Sequence, residues 1–219
     1  MAVPSFIADS REDARFRTEV RSWLDENLPP EICGWAGRLP PEKMTPWHRK
    51  MFERGWIAPG WPEEYGGMGA TLAQQLILLE EMGRRGAPTL SRQGLGHIGP
   101  ILMRFGSDAQ KAEHLPKILS GDVAWAQGYS EPGSGSDLAS LTTRAVLDGE
   151  NFVINGRKIW TTMAQFADWM YALVRTDPDA PRKQLGISII LIDLKSPGIT
   201  IRPIKTIAGD EEFAECTFE

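Results

Sequence analysis

Ala126-Gln-Gly-Tyr-Ser-Glu-Pro-Gly-Ser-Gly-Ser-Asp137 joins the end of a strand-like run, Val123 to Tyr129, to a turn holding Gly133, Gly135 and the hydroxyls of Ser130, Ser134 and Ser136. Such a turn can converge several backbone N–H groups and hydroxyls on something anionic. Pro, Gly, Ser and Asp are also ordinary turn residues, so the loop by itself reads as a plain solvated turn. It decides the fold because the hydrophobic period changes there, from about 3.6 residues before Val123 to about 2 after it.

After the change, Val123 to Tyr129, Leu141 to Leu147, Asn151 to Ile154, Lys158 to Thr162, Trp169 to Arg175, Ile187 to Asp193, Thr200 to Ile204 and Phe213 to Phe218 read as eight short strands. Asp148-Gly149 and Asn155-Gly156 read as hairpin turns, with Asp177 to Lys183 and Ser196-Pro197-Gly198 as further loops. An antiparallel sheet pair or barrel-like domain is expected. Before the change the chain is helical. Ser10 with Asp13 caps a helix carrying Phe16, Val20, Trp23 and Leu24 up to Pro29-Pro30. A second helix is expected from Pro41 to Arg54 with Met44, Trp47, Met51 and Phe52 inward, and a third, up to about Arg85, with Leu72, Leu76, Leu79 and Met82 inward and Glu80-Glu81 on its outer flank. Gly94 to Phe105 reads as a weaker helix, and Asp108 as the cap of one closed by Gly121. The fold class is therefore α+β: a helical domain over residues 1–121 and a β domain over 122–219.

The net charge of -5, without a basic cluster, excludes nucleic acid as a partner. No run approaches the ~20 apolar residues of a membrane span, so no membrane insertion is expected. Cys33 and Cys216 are far apart and lack metal-type spacing, and His48, His97 and His114 are scattered, so neither a disulfide framework nor a metal site is implied. Met1 to Asp9 lacks the features of a secretory signal, and a cytoplasmic setting follows by default.

A second stretch, Asn155-Gly-Arg-Lys-Ile-Trp-Thr-Thr162, puts a Trp and two hydroxyls about 20 residues beyond the loop. A flat ring, hydroxyl donors and a Gly-rich loop suit a planar, electron-accepting cofactor. Together the two stretches resemble the acyl-CoA dehydrogenase family. Its hydroxyl-Glu-Pro-x-x-Gly-Ser-Asp motif is matched by Ser130 to Asp137, and its Asn-Gly-x-Lys-x-Trp-x-Thr motif by Asn155 to Thr162. The resemblance extends through Gly60 to Gly67 and through Phe105-Gly106 to Gly121.

The resemblance implies FAD as cofactor, an acyl-CoA substrate and α,β-dehydrogenation with hydride transfer to flavin N5. It implies that Gln127, Gly128, Tyr129 and Ser130 line the N1/C2=O edge of the flavin, that Trp160 lies against the ring, that Thr162 sits near N5 with Thr161 beside it among the cofactor-binding residues, and that Gly135 and Ser136 belong to the same loop site. Ser136 takes the position that touches the CoA portion of the substrate. The family's base is a carboxylate of a second helical domain, so no catalytic residue is expected in this chain, which is expected to be a fragment without turnover of its own. Glu131 is expected to make structural hydrogen bonds, and Asp137 to cap a turn. Electron-transfer flavoprotein or a similar acceptor and a homo- or hetero-oligomer, dimer or tetramer, are implied as partners. Tyr129 before the hydroxyl, and Thr161 to Gln165 after the Trp, resemble bacterial subgroups acting on dicarboxylic, branched or steroid-derived CoA esters. A flavin monooxygenase of related fold and a non-catalytic FAD- or CoA-binding partner subunit are the alternative readings.

Overall fold

The computed structural model describes residues 9–219, and the expectation for the segment Met1 to Ala8 lies outside the described residues. The chain divides into two compact units, one ending at Asp122 and the other Val123–Glu219.

In the helical unit α1 spans Arg11–Asn27 and starts on a capping box, in which Ser10 Oγ accepts from the Asp13 amide and the Asp13 carboxylate accepts from the Ser10 amide. Phe16, Val20 and Leu24 form its buried stripe. Helix α2, Pro41–Glu53, buries Trp47, His48 and Met51, while Phe52, expected inward, is exposed. Trp56 closes this core, edge-on to Phe16 at 5.7 Å and to Trp23 at 5.3 Å.

Helix α3, Leu72–Arg85, corrects the expected stripe. Ile77, Leu78 and Glu81 are its buried residues, and Leu72 and Leu79 are 71% and 63% exposed. The cause is Glu81, drawn inward because Arg17 and Arg21 of α1 each bond its carboxylate at 3.0 Å. Asp9 and Glu80 hold Arg17 from its other sides at 2.6 and 2.7 Å. The weak helix splits into a π-helical turn, Gln93–Ile98, and α4, Gly99–Phe105. The Trp61 ring occupies the space that a Cβ on Gly99 would need, and its Nε1 donates to the Leu95 carbonyl at 2.8 Å. The cap of α5, Asp108–Ser120, is Ser107, with Gln110 completing the box, so Asp108 is the first helical residue and not the cap. Gly121 ends α5 in the left-handed conformation.

Among the described residues the β unit is one seven-stranded sheet in the order β1-β4-β2-β3-β7-β6, with β5 on the other edge of β4. The strands are β1 Trp125–Gly128, β2 Arg144–Asp148, β3 Asn151–Thr162, β4 Trp169–Arg175, β5 Ile187–Asp193, β6 Ile199–Ile204 and β7 Phe213–Phe218. Most pairs are antiparallel, as expected. However, β1 runs parallel to β4, with Gln127 opposite Tyr171, and β2 touches β4 in parallel at Arg144 and Arg175. Ala126, Ala145, Met170, Ala172, Val174, Ile192, Ala214, Cys216 and Phe218 make the core.

The turn expected at Asn155-Gly156 does not form. Both residues lie inside β3, whose first half pairs with β2 and whose second half pairs with β7. Gly156 has φ +148°, and a Cβ there would come within 2.6 Å of Thr143 Cα. The dipeptide thus marks where one long strand passes between two partners, and glycine is needed for close approach. The hairpin at Asp148-Gly149 forms, pairing Asp148 with Asn151.

Candidate functional site

The loop after β1 and the second half of β3 are bound into one piece. The Ile159 amide donates to the Ser130 carbonyl at 2.9 Å. Lys158 Nζ donates to the Tyr129 carbonyl at 3.1 Å and to Glu131 Oε1 at 2.8 Å. Glu131 Oε1 also accepts from the Thr143 amide, and Oε2 from the Thr142 amide and hydroxyl, at 2.6 to 2.9 Å. The loop then folds back on itself: Glu131 and Ser134 exchange both backbone bonds, and Ser134 Oγ donates to the Asp137 carbonyl.

This ion pair is dry, with side chains 0% exposed at Lys158 and 4% at Glu131. Burial alone pulls the Glu131 carboxyl upward, but the Lys158 ammonium and the Thr142 and Thr143 donors outweigh it and hold it at about 2. Burial pulls Lys158 below the usual ammonium range, and Glu131 pulls it partly back. Glu131 is therefore a structural carboxylate, as expected, and its proton affinity is wrong for a base near neutrality.

A β-bulge aims the second stretch. Lys158 pairs with Cys216 and Thr161 with Ala214, so β3 carries one residue more than β7 between these pairs. Regular alternation would put Lys158 and Trp160 on one face. Instead Lys158 and Thr161 are both buried, and Trp160, at φ +60°, stands 57% exposed, edge-on to Phe213 at 6.1 Å. A positive φ at a bulky residue persists only where the surroundings impose it, and such strain gathers at ligand sites. Met163 repeats it at φ +56°, its amide tied to the Glu212 carbonyl at 2.8 Å.

The expected site residues fall into two groups. Ser130, Ser136 and Thr162 have hydroxyls that bond no other described residue, and Trp160 is exposed, so three hydroxyls and one flat ring are left uncommitted, groups of the kind that a polar-edged aromatic cofactor needs. Gln127 lies in β1 and Tyr129 follows its last residue, edge-on to Tyr171 at 5.9 Å. Gly128 is buried, and a Cβ there would strike the Met170 sulfur, so it offers only backbone. Gly135 has open space around it. Thr161 offers only backbone: its hydroxyl is buried and donates to the Ala214 carbonyl at 2.5 Å. Ser134 is likewise turned inward. Asp137 caps through its main-chain carbonyl, which accepts from Ser134 and Ser140, and not through its carboxylate. Lys158 escapes sequence reasoning. The one hint is its place in the Asn155 to Thr162 motif, which gives no partner for it.

Residues 10–122 match the model for the acyl-CoA dehydrogenase N-terminal domain, and residues 126–219 match the model for the middle domain of the same family. The chain belongs to the acyl-CoA dehydrogenase family. Acyl-CoA dehydrogenase IpdE1 of Mycobacterium tuberculosis is 41% identical over 212 residues, which are 93% of this chain and 55% of that protein. Among solved structures, the ChsE4-ChsE5 complex of M. tuberculosis matches with TM-score 0.83 and 35% identity over 97% of this chain and 54% of the other. The Tcur3481-Tcur3483 steroid ACAD matches with TM-score 0.81 and 38% identity, covering 97% and 55%. The chain thus spans about half the length of the family members it matches. Among the described residues no helix is long and apolar enough to cross a membrane, and no group of three His, Cys, Asp or Glu side chains is placed to hold a metal ion.

Proposed function

We propose that this chain forms the flavin- and thioester-binding part of an FAD-dependent acyl-CoA dehydrogenase. The observation that carries the reading is the joining of the two family motifs through the Ser130–Ile159 bond and the Lys158–Glu131 pair, beside an exposed Trp160. FAD, when bound, supplies the hydride acceptor for the β hydrogen. The Gln127–Ser130 edge would hold N–H and O–H donors where negative charge collects, which lowers the barrier because the donors are fixed in advance. Trp160 would give the ring an apolar platform that excludes water from one side. Thr162 would hold its hydroxyl toward the reacting edge, and Ser136 toward the CoA portion. No carboxylate of this chain is assigned the α proton.

The names of the similar proteins favour bulky substrates, since one solved neighbour is a steroid ACAD. A second reading is supported by the same comparisons: two of the neighbours are pairs of different chains, so this chain could equally serve as the FAD- or CoA-binding partner in a heteromeric dehydrogenase. Electron-transfer flavoprotein as acceptor and a cytoplasmic setting belong to the proposal. The test is purification of the protein carrying this chain, with and without added FAD, followed by anaerobic addition of a steroid-derived or branched acyl-CoA. The expected result is a yellow protein whose flavin absorbance bleaches. A protein that takes up no flavin sinks the reading, and one that takes it up but never bleaches favours the partner-subunit role.

A further inference from the structure

We infer that Lys158 is a positioning residue for the flavin edge, fixing the Tyr129–Ser130 peptide so that the Ser130 N–H faces away from the core; this rests on the flavin reading above. A trans peptide points its C=O and its N–H in opposite directions. Lys158 Nζ holds the Tyr129 carbonyl inward at 3.1 Å, and the N–H of the same peptide is thereby turned outward. That N–H has no acceptor among the described residues. The next peptide is fixed as well, because the Ser130 carbonyl accepts from Ile159 at 2.9 Å and the Glu131 amide donates to the Ser134 carbonyl at 2.7 Å. Ser130 is held on both flanks while its own N–H and hydroxyl stay free.

The choice of residue follows from the geometry. The reach is from β3 across to the loop, longer than Ser, Thr or Asn can span, and an ammonium has three donors, of which two are used here. Burial disfavours the charged amine, and the Glu131 carboxylate at 2.8 Å favours it. Lys158 also anchors the near side of the bulge that turns Trp160 outward, so one side chain sets both the donor edge and the ring platform. It touches neither ligand nor reacting atoms.

The test uses the FAD-loaded protein that carries this chain, with Lys158→Met and the double variant Lys158→Met/Glu131→Gln. The double variant removes both buried charges and keeps one acceptor for the Thr143 amide. The expected result, in whichever variant retains a cooperative melting transition, is flavin reduction by acyl-CoA slowed about tenfold or more, KM within about twofold of wild type, and a bound-flavin midpoint potential moved to more negative values. A folded variant with wild-type rate and potential overturns the inference, since a merely structural pair would shift the melt alone. Should both variants fail to fold, amide exchange in the wild-type protein decides. The Ser130 N–H should exchange freely without FAD and be protected with it, while Ile159 stays protected in both. Equal exchange of Ser130 in the two states overturns the inference. A wild-type protein that binds no FAD at all overturns the flavin reading and the inference with it, whereas a normal potential in a folded, FAD-loaded Lys158→Met protein overturns the inference alone.

Discussion

Each unit of this chain buries one glutamate against a cationic side chain, and the two sites differ in what surrounds the charge. Glu81 in the helical unit is 1% exposed, but its partner Arg21 is 50% exposed, so the charge of the cluster reaches water. Glu131 in the β unit meets a lysine that is itself fully buried, and its remaining lone pairs are filled by the amides and hydroxyl of Thr142 and Thr143. Water can relax around the first when a partner is lost. It cannot around the second, where removal of one partner strands the other charge. The difference separates a staple between α1 and α3 from a centre that fixes the shape of the loop after β1.

The largest expected effect breaks the dry pair. Lys158→Met should lower stability by about 3 to 5 kcal/mol, against about 1 to 2 kcal/mol for Glu81→Gln, where the half-exposed Arg21 limits the loss. Urea unfolding of both variants checks this, and equal losses would erase the contrast. Next comes Gly156, whose neighbour Thr143 donates to Glu131. Gly156→Ala should cost about 2 to 4 kcal/mol because it combines a positive φ with a clash at the Thr143 backbone. Gly149→Ala, at φ +61° with open space around it, should cost only about 1 kcal/mol.

Thr162→Val keeps the side-chain shape and removes a hydroxyl that bonds no other described residue. Flavin reduction measured by stopped flow should slow by an amount worth about 1 to 3 kcal/mol, with FAD affinity little changed. An unaltered rate would leave Thr162 a structural role only. The pH dependence is the gentlest probe. The folded-state value of Glu131, about 2, lies below its ordinary 4.5. Its stabilising contribution is therefore fully present above about 4.5 and is lost as pH falls toward 2, at up to about 1.4 kcal/mol per pH unit. Glu131→Gln should flatten that part of the stability curve, and an unchanged acid limb would mean the carboxylate is not held as described.

Much of the fold is legible in the sequence where the signal is local. The alternation over Trp169–Arg175, Ile187–Asp193 and Phe213–Phe218 fixes three strands to the residue, and the Ser10 box and the Gly121 stop are read from their own neighbours. What escapes is set by distant partners. The inward face of α3 depends on Arg21, 60 residues away. Asn155-Gly156 favours a hairpin locally, and β7 together with the crowding at Thr143 overrides it. In the site, the structural role of Glu131 follows from its motif, but the inward turn of Thr161 depends on a bulge that Ile159 and Trp160, both good strand formers, do not announce. Lys158 is hidden for the same reason, because nothing in its neighbours says that its ammonium has a buried carboxylate 27 residues earlier.

The central claim is that the Ser130 loop and the Trp160 bulge act as one flavin-binding surface. The most direct test is FAD affinity, by equilibrium titration, of Ser130→Ala and Trp160→Ala beside the wild-type protein, with the melting transition of each flavin-free variant measured in parallel. Trp160 is more than half exposed, with an edge contact to Phe213, and the Ser130 hydroxyl bonds no described residue, so neither change removes an internal hydrogen bond of the side chain. The account predicts that each variant binds FAD about five- to thirtyfold more weakly, the ring contact and the charge-edge hydrogen bond each contributing about 1 to 2 kcal/mol, while both melt close to the wild type. Unchanged FAD affinity in both variants, with a lowered melt for Trp160→Ala, would contradict it.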